Sequence, residues 1–127
     1  MRARELAAFI DTASANYGFA TDDLVAVGYS NGANIAAAMI LLGIAQFPRA
    51  ILFRAMVPLQ SVEPPDLSGK QLLLSGGEHD PIAQADIVRS LADLFRRGNA
   101  DVALIFQQAG HELTHQDVMT ARRWLES

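Results

Sequence analysis

Leu24-Val25-Ala26-Val27-Gly28-Tyr29-Ser30-Asn31-Gly32-Ala33-Asn34-Ile35-Ala36-Ala37-Ala38 is the stretch that decides the fold. Residues 24–29 form a short apolar run, β-branched at Val25 and Val27, which reads as a strand. Residues 33–42 are rich in Ala, Ile and Leu and read as a helix that ends at Gly43. The five residues between and across them spell G-x-S-x-G, so the segment is a strand, a tight turn and a helix. A serine on so sharp a turn is held in a strained backbone, and side chains at Gly28 or Gly32 are expected to collide with the neighbouring strand or helix.

Outward from that stretch the same alternation continues. Upstream, Leu6, Phe9, Ile10, Ala13 and Tyr17 fall at helical spacing, with Gly18 as the stop, so an amphipathic helix is expected over residues 4–17. Downstream, residues 49–54 and 71–75 are apolar runs of strand length, separated by a Pro-rich loop over 58–69. Ile87, Val88, Leu91, Leu94 and Phe95 form a helical stripe closed by Gly98. A strand over 102–106 and a helix over about 115–125 complete the chain. Strands that look apolar on both faces, alternating with helices, imply an α/β domain with a mainly parallel sheet flanked by helices. With 127 residues, a single domain over 1–127 is expected.

Composition narrows the function classes. Half the residues are hydrophobic, with nine Gly and five Pro, the profile of a packed domain. Ten basic against 14 acidic residues leave a net charge of −4 without a run of Lys or Arg, so nucleic acid is not an expected partner. The longest apolar stretch, residues 35–45, is far short of the ~20 residues that cross a bilayer. The amino terminus has no signal-peptide core, since Glu5 interrupts it, and a cytoplasmic location is expected. The absence of cysteine removes thiolate nucleophiles and Cys-ligated metal sites.

A serine hydroxyl becomes nucleophilic only when a base takes its proton, and the usual base is a histidine oriented by a carboxylate. On a G-x-S-x-G scaffold these partners follow in the order Ser, Asp or Glu, His. Gly77-Glu78-His79-Asp80-Pro81 follows the strand at 71–75, and Ala109-Gly110-His111 follows the strand at 102–106. Ser30, Asp80 and His111 thus come from three loops at one edge of a parallel sheet, with the Asn31 N–H as an oxyanion donor at a helix start. Glu78 is the alternative carboxylate; Asp80 is preferred because it precedes Pro81 and is expected to open the next helix. His79 and His115 read as a loop residue and a first-turn helix residue. A competing string, His111-Glu112-Leu113-Thr114-His115, spells the zinc-protease H-E-x-x-H. That motif needs both histidines inside one helix, whereas His111 comes straight off a strand and Thr114-x-x-Asp117 looks like the amino-terminal cap of a helix beginning near His115.

Gly28 through Ala36, Ala50-Ile51-Leu52-Phe53 with Met56-Val57-Pro58, Gly76 through Ile82, Gly110 through Thr114 and Trp124-Leu125 together resemble the bacterial phospholipase/carboxylesterase family of the α/β-hydrolase superfamily. The resemblance implies a serine carboxylesterase acting on small-molecule esters with Ser30, Asp80 and His111 as triad, no metal and no organic cofactor. It also implies that the chain corresponds to the carboxyl-terminal half of that fold. Members of the family usually carry earlier strands and a His-Gly loop that donates a second oxyanion amide, and no His-Gly dipeptide occurs here. An acyl pocket for neutral short-chain esters is expected from Met56, Val57, Leu59 and Leu113. The strand at 24–29 is expected at an uncovered sheet edge, and hence in a homodimer or larger assembly. Two other function classes stand beside the esterase: a weak or inactive hydrolase fragment serving as a binding or assembly module, and a ligand-binding domain that holds an anion at Ser30-Asn31-Gly32.

Overall fold

The computed structural model describes residues 25–43, 47–56 and 63–127. Four strands lie in the order β1 (Val25–Tyr29), β2 (Arg49–Phe53), β3 (Gln71–Gly77) and β4 (Asp101–Gln107), every neighbouring pair parallel. Three helices accompany them: α1 (Asn31–Leu41), α2 (Ala85–Arg97) and α3 (His115–Glu126). The chain is therefore an α/β protein with a parallel sheet, as the alternation of patterns predicts. The helix expected over 4–17, together with Leu24, Val57 and Leu59, lies outside the described residues.

The two faces of the sheet explain the continuous apolar runs. In β2 and β3, Ala50, Leu52, Leu72 and Leu74 point to one face, where they join Ala33, Ala37, Ile40 and Leu41 of α1 and Val88, Leu91 and Phe95 of α2. Ile51, Phe53 and Leu73 point to the other, where they meet Leu113 and, from α3, Ala121 and Leu125. The strand residues in both sets are wholly removed from water, and each such Leu, Ile or Phe contributes about 1.5–3 kcal/mol of burial. β1 and β4 are only half-buried, because each has a single neighbour in the described sheet.

Two ends of elements bear on the site. β3 and β4 continue two residues beyond the register of β2, through Gly76↔Phe106 and Gly77↔Gln107, so their loops leave from an extended lip. α3 opens with Thr114 as cap, its hydroxyl accepting from the Asp117 N–H while Asp117 accepts from the Thr114 N–H. That reciprocal cap is the one the spacing predicts, and it starts the helix at His115. His111 and Glu112 consequently precede the helix, and the H-E-x-x-H string does not form a helical metal face. α2 begins at Ala85, not at Asp80. The Asp80 carboxylate takes the Ile82 and Ala83 N–H groups into a local turn, and this delays the helix past Pro81.

Candidate active site

Ser30 sits between β1 and α1 with φ 55° and ψ −116°, outside the conformations a serine ordinarily adopts. Such a backbone costs on the order of 1–3 kcal/mol and persists only where its surroundings hold it. Here its N–H donates to Phe53 O at 2.8 Å and its carbonyl accepts from Asn34 N at 2.9 Å. Gly28 makes the close approach feasible: a Cβ there would lie 2.7 Å from Ala33 N and 2.8 Å from Gly32 C, both backbone. The expectation for Gly32 is corrected, since a Cβ at that position meets nothing within 4 Å. The first turn of α1 faces open space there.

Ser30 is the residue before α1, yet its hydroxyl does not cap the helix. It is turned toward His111, with Oγ 2.8 Å from Nε2. On the other side of the ring, His111 Nδ1 lies 2.8 Å from Asp80 Oδ2. A carboxylate can only accept, so Nδ1 carries the proton and Nε2 offers its lone pair to the serine O–H. The Asp80 side chain is fully sealed and that of His111 is 22% exposed, so this line of hydrogen bonds has a dry end and an open end. Among the described residues no group of His, Cys, Asp or Glu is arranged to hold a metal ion. Asn31 is the first residue of α1 and exposed, and an N–H at that position has no acceptor within the helix.

The remaining residues singled out from sequence are dispersed. Glu78 and His79 are exposed on the loop after β3, and His115 is exposed at the start of α3. Met56 is half-buried against the α1–α2 core, its N–H bonded to Asn34 Oδ1 at 2.8 Å, whereas Leu113 is buried in the opposite cluster beneath α3. A cavity of about 380 Å³ lined by Phe106, Gln107, Gln108, Ala109, Thr114 and Gln116 opens beside the loop after β4 and includes none of Ser30, Asp80 or His111.

Sequence reasoning missed three residues that surround this candidate relay. The Tyr29 hydroxyl donates to His111 O at 2.9 Å, and its ring tilts against the imidazole with centroids 5.7 Å apart. Burial pushes the Tyr29 phenol above its usual value, with Arg54 pulling the other way, so it stays a donor at neutral pH. Arg54 and Asp117 form a buried ion pair at 2.7 Å directly below the His111 loop. Burial raises the Asp117 carboxyl, but hydrogen bonds from Arg54, Ser75 and Thr114 outweigh it and hold the group below the usual carboxylate value. The only sequence signal for this pair was a charged residue closing an otherwise apolar strand.

Residues 2–121 match the dienelactone hydrolase family. MhqD of Bacillus subtilis (strain 168), named as a candidate hydrolase, is 36% identical over 124 residues, which are 98% of this chain and 62% of that protein. The crystal structure of a Bacillus cereus carboxylesterase superposes with a TM-score of 0.80 at 35% identity, covering 97% of this chain and 58% of the other. A carboxylesterase from Mesorhizobium loti gives 0.79 at 32% identity, with 96% and 58% covered. The chain thus spans about three-fifths of the length of the relatives it matches.

Proposed function

The chain belongs to the dienelactone hydrolase family of the α/β-hydrolase superfamily, and from that premise we propose that it hydrolyses carboxylic esters of small molecules through an acyl-enzyme on Ser30. The observation that carries the reading is the continuous hydrogen-bonded line Ser30 Oγ, His111, Asp80, with 2.8 Å at each step. His111 Nε2 takes the hydroxyl proton as Oγ attacks the ester carbonyl, and Asp80 stabilises the imidazolium that forms. The Asn31 N–H donates to the oxyanion. Collapse releases the alcohol, protonated by His111, and water activated by the same base then frees the acid.

Neutral esters suit this site better than anionic ones. The guanidinium nearest the His111 loop, that of Arg54, is fully buried and spent on Asp117 and backbone carbonyls, so it offers no clamp to a charged substrate. Met56, at the edge of the core after β2, is the described residue proposed to meet the acyl chain.

The test is labelling of the chain by a fluorophosphonate, located by peptide mass, beside hydrolysis of p-nitrophenyl esters of increasing chain length. Ser30→Ala is expected to abolish labelling and to lower kcat by about 10⁶ while leaving the melting transition in place. Retention of ester hydrolysis by Ser30→Ala, or failure of the unaltered chain to label at Ser30, would overturn the assignment and favour a binding module.

A further inference from the structure

Three consecutive carbonyl groups around the candidate base each accept a hydrogen bond from a side chain at the end of β1 or β2. Arg54 Nε donates to Gly110 O at 3.0 Å, Tyr29 Oη to His111 O at 2.9 Å, and Arg54 Nη2 to Glu112 O at 3.0 Å. The same guanidinium closes a fork on Asp117, with Nη1 2.9 Å from Oδ1 and Nη2 2.7 Å from Oδ2, and Nη1 also reaches Ser75 O at 3.2 Å. Both charged side chains are 0% exposed. We propose that Arg54, clamped by Asp117 and seconded by Tyr29, is a positioning residue that sets where the His111 imidazole stands between Ser30 and Asp80; the role in catalysis rests on the reading of Ser30 as nucleophile.

Stability alone is a poor account of this arrangement. A buried ion pair roughly breaks even against apolar side chains of the same volume, so folding does not require a guanidinium at this place. What an apolar replacement cannot do is donate to the carbonyls on either side of His111. Arg54 is also held at φ 57°, in the left-handed region that suits glycine and disfavours an ordinary side chain. Its N–H donates to Ser75 O at 2.9 Å, which fixes that unusual backbone.

Connectivity gives the cluster its meaning for the site. Phe53 O receives the Ser30 N–H, and Arg54, the next residue, receives the loop that carries His111. One dipeptide at the end of β2 therefore holds the nucleophile's backbone with a carbonyl and the base's backbone with a side chain. The second anchor is Asp117, which accepts from Ser75 Oγ at 2.6 Å and is joined to Thr114 by the helix cap. The fork thus references the loop to β3 and α3 as well as to β2. A lysine keeps the charge but has one nitrogen, which cannot span the fork and the two flanking carbonyls together.

Arg54→Lys and Tyr29→Phe test the proposal in the whole chain, with four readouts: kcat, KM, the melting transition and the strongly downfield proton resonance of His111 Nδ1–H. Arg54→Lys is expected to melt cooperatively and keep KM within about twofold, while kcat falls by about tenfold or more, since small misplacements of a base are costly, and the Nδ1–H resonance broadens. Tyr29→Phe is expected to move the same readouts less, in the same direction. A folded Arg54→Lys with the original kcat and an unbroadened resonance overturns the proposal. Should Arg54→Lys fail to fold, Tyr29→Phe decides, and an unaltered resonance and kcat there overturn it. A chain that neither hydrolyses esters nor labels at Ser30 defeats the hydrolase reading instead, and the resonance comparison still judges the positioning.

Discussion

Asp80→Asn is the substitution on which the geometry makes its most definite statement. In the native chain Asp80 Oδ1 accepts the Ile82 and Ala83 N–H groups at 2.8 and 3.0 Å, while Oδ2 accepts from His111 Nδ1 at 2.8 Å. An asparagine amide must keep its oxygen on the two backbone donors, because turning its NH₂ onto them would leave two N–H groups unpaired at about 1–3 kcal/mol each. The NH₂ then faces Nδ1, which must accept, and the ring proton moves to Nε2. Nε2 now donates to Ser30 Oγ where it should accept from it. The base keeps its place and loses its lone pair, and kcat is expected to fall by about 10⁴, or about 5.4 kcal/mol at 1.36 per decade. Because Asn preserves both backbone hydrogen bonds, the melting transition should hardly move. Asp80→Ala does the opposite: it frees the tautomer but leaves the Ile82 and Ala83 N–H groups without their acceptor, so it should be the less stable variant, by about 1–3 kcal/mol for each group left unpaired, and the more active one. Ester hydrolysis near neutral pH, with thermal melts of both variants, checks the pair. A folded Asp80→Asn within tenfold of the native kcat would refute the reasoning.

Gly77→Ala places a Cβ against the carbonyl oxygens of Ala109 and Gly110, so the loop bearing His111 must shift; a loss of about 1–3 kcal/mol in stability, together with a drop in kcat larger than any change in KM, is expected from denaturant melts and ester kinetics. Asp117→Asn strands the Arg54 charge and should cost about 3–5 kcal/mol near pH 7. The Asp117 carboxyl lies below its ordinary value of 3.8 in the folded chain, so its contribution is complete above that pH and is lost as pH falls through the depressed folded value; melts from pH 7 to pH 2 should show the gap between native and Asp117→Asn narrowing only below about pH 4.

What the sequence made legible was whatever local pattern determines. The strand, turn and helix around Ser30 follow from apolar periodicity and one indispensable glycine, and Gly28 packs its missing Cβ against Ala33 backbone. Gly32 carries the same letter in the motif without the same constraint, because α1 has already turned away from the strand there. Asp80 shows a local rule overridden by a competing hydrogen bond: proline after an acid does mark a turn, but the carboxylate takes the 82 and 83 amides, and the helix waits until Ala85. Parallel topology supplied the rest of the candidate relay, since residues that follow successive parallel strands must emerge at one edge.

The supporting lattice of the site was illegible for a physical reason. Arg54 and Asp117 stand 63 positions apart, and their meeting depends on the β2–β3 register, on the capped start of α3 and on a left-handed backbone at Arg54. None of these leaves a periodic trace in the chain. Asp117 was readable only in its local duty as a capping partner of Thr114, because capping is a three-residue relation, whereas the Arg54 fork on the same carboxylate is a tertiary one. A charged residue that closes an apolar strand can equally be the strand's solvated end, and only burial separates the two cases. Here the side chain is wholly inside, and a buried guanidinium must find acceptors for its N–H groups. The carbonyls nearest to hand are those of the loop that carries His111. The demand of a buried charge for partners is thus what ties the edge of β2 to the candidate base, and it links the packing of the sheet to the 2.8 Å contact between His111 and Ser30.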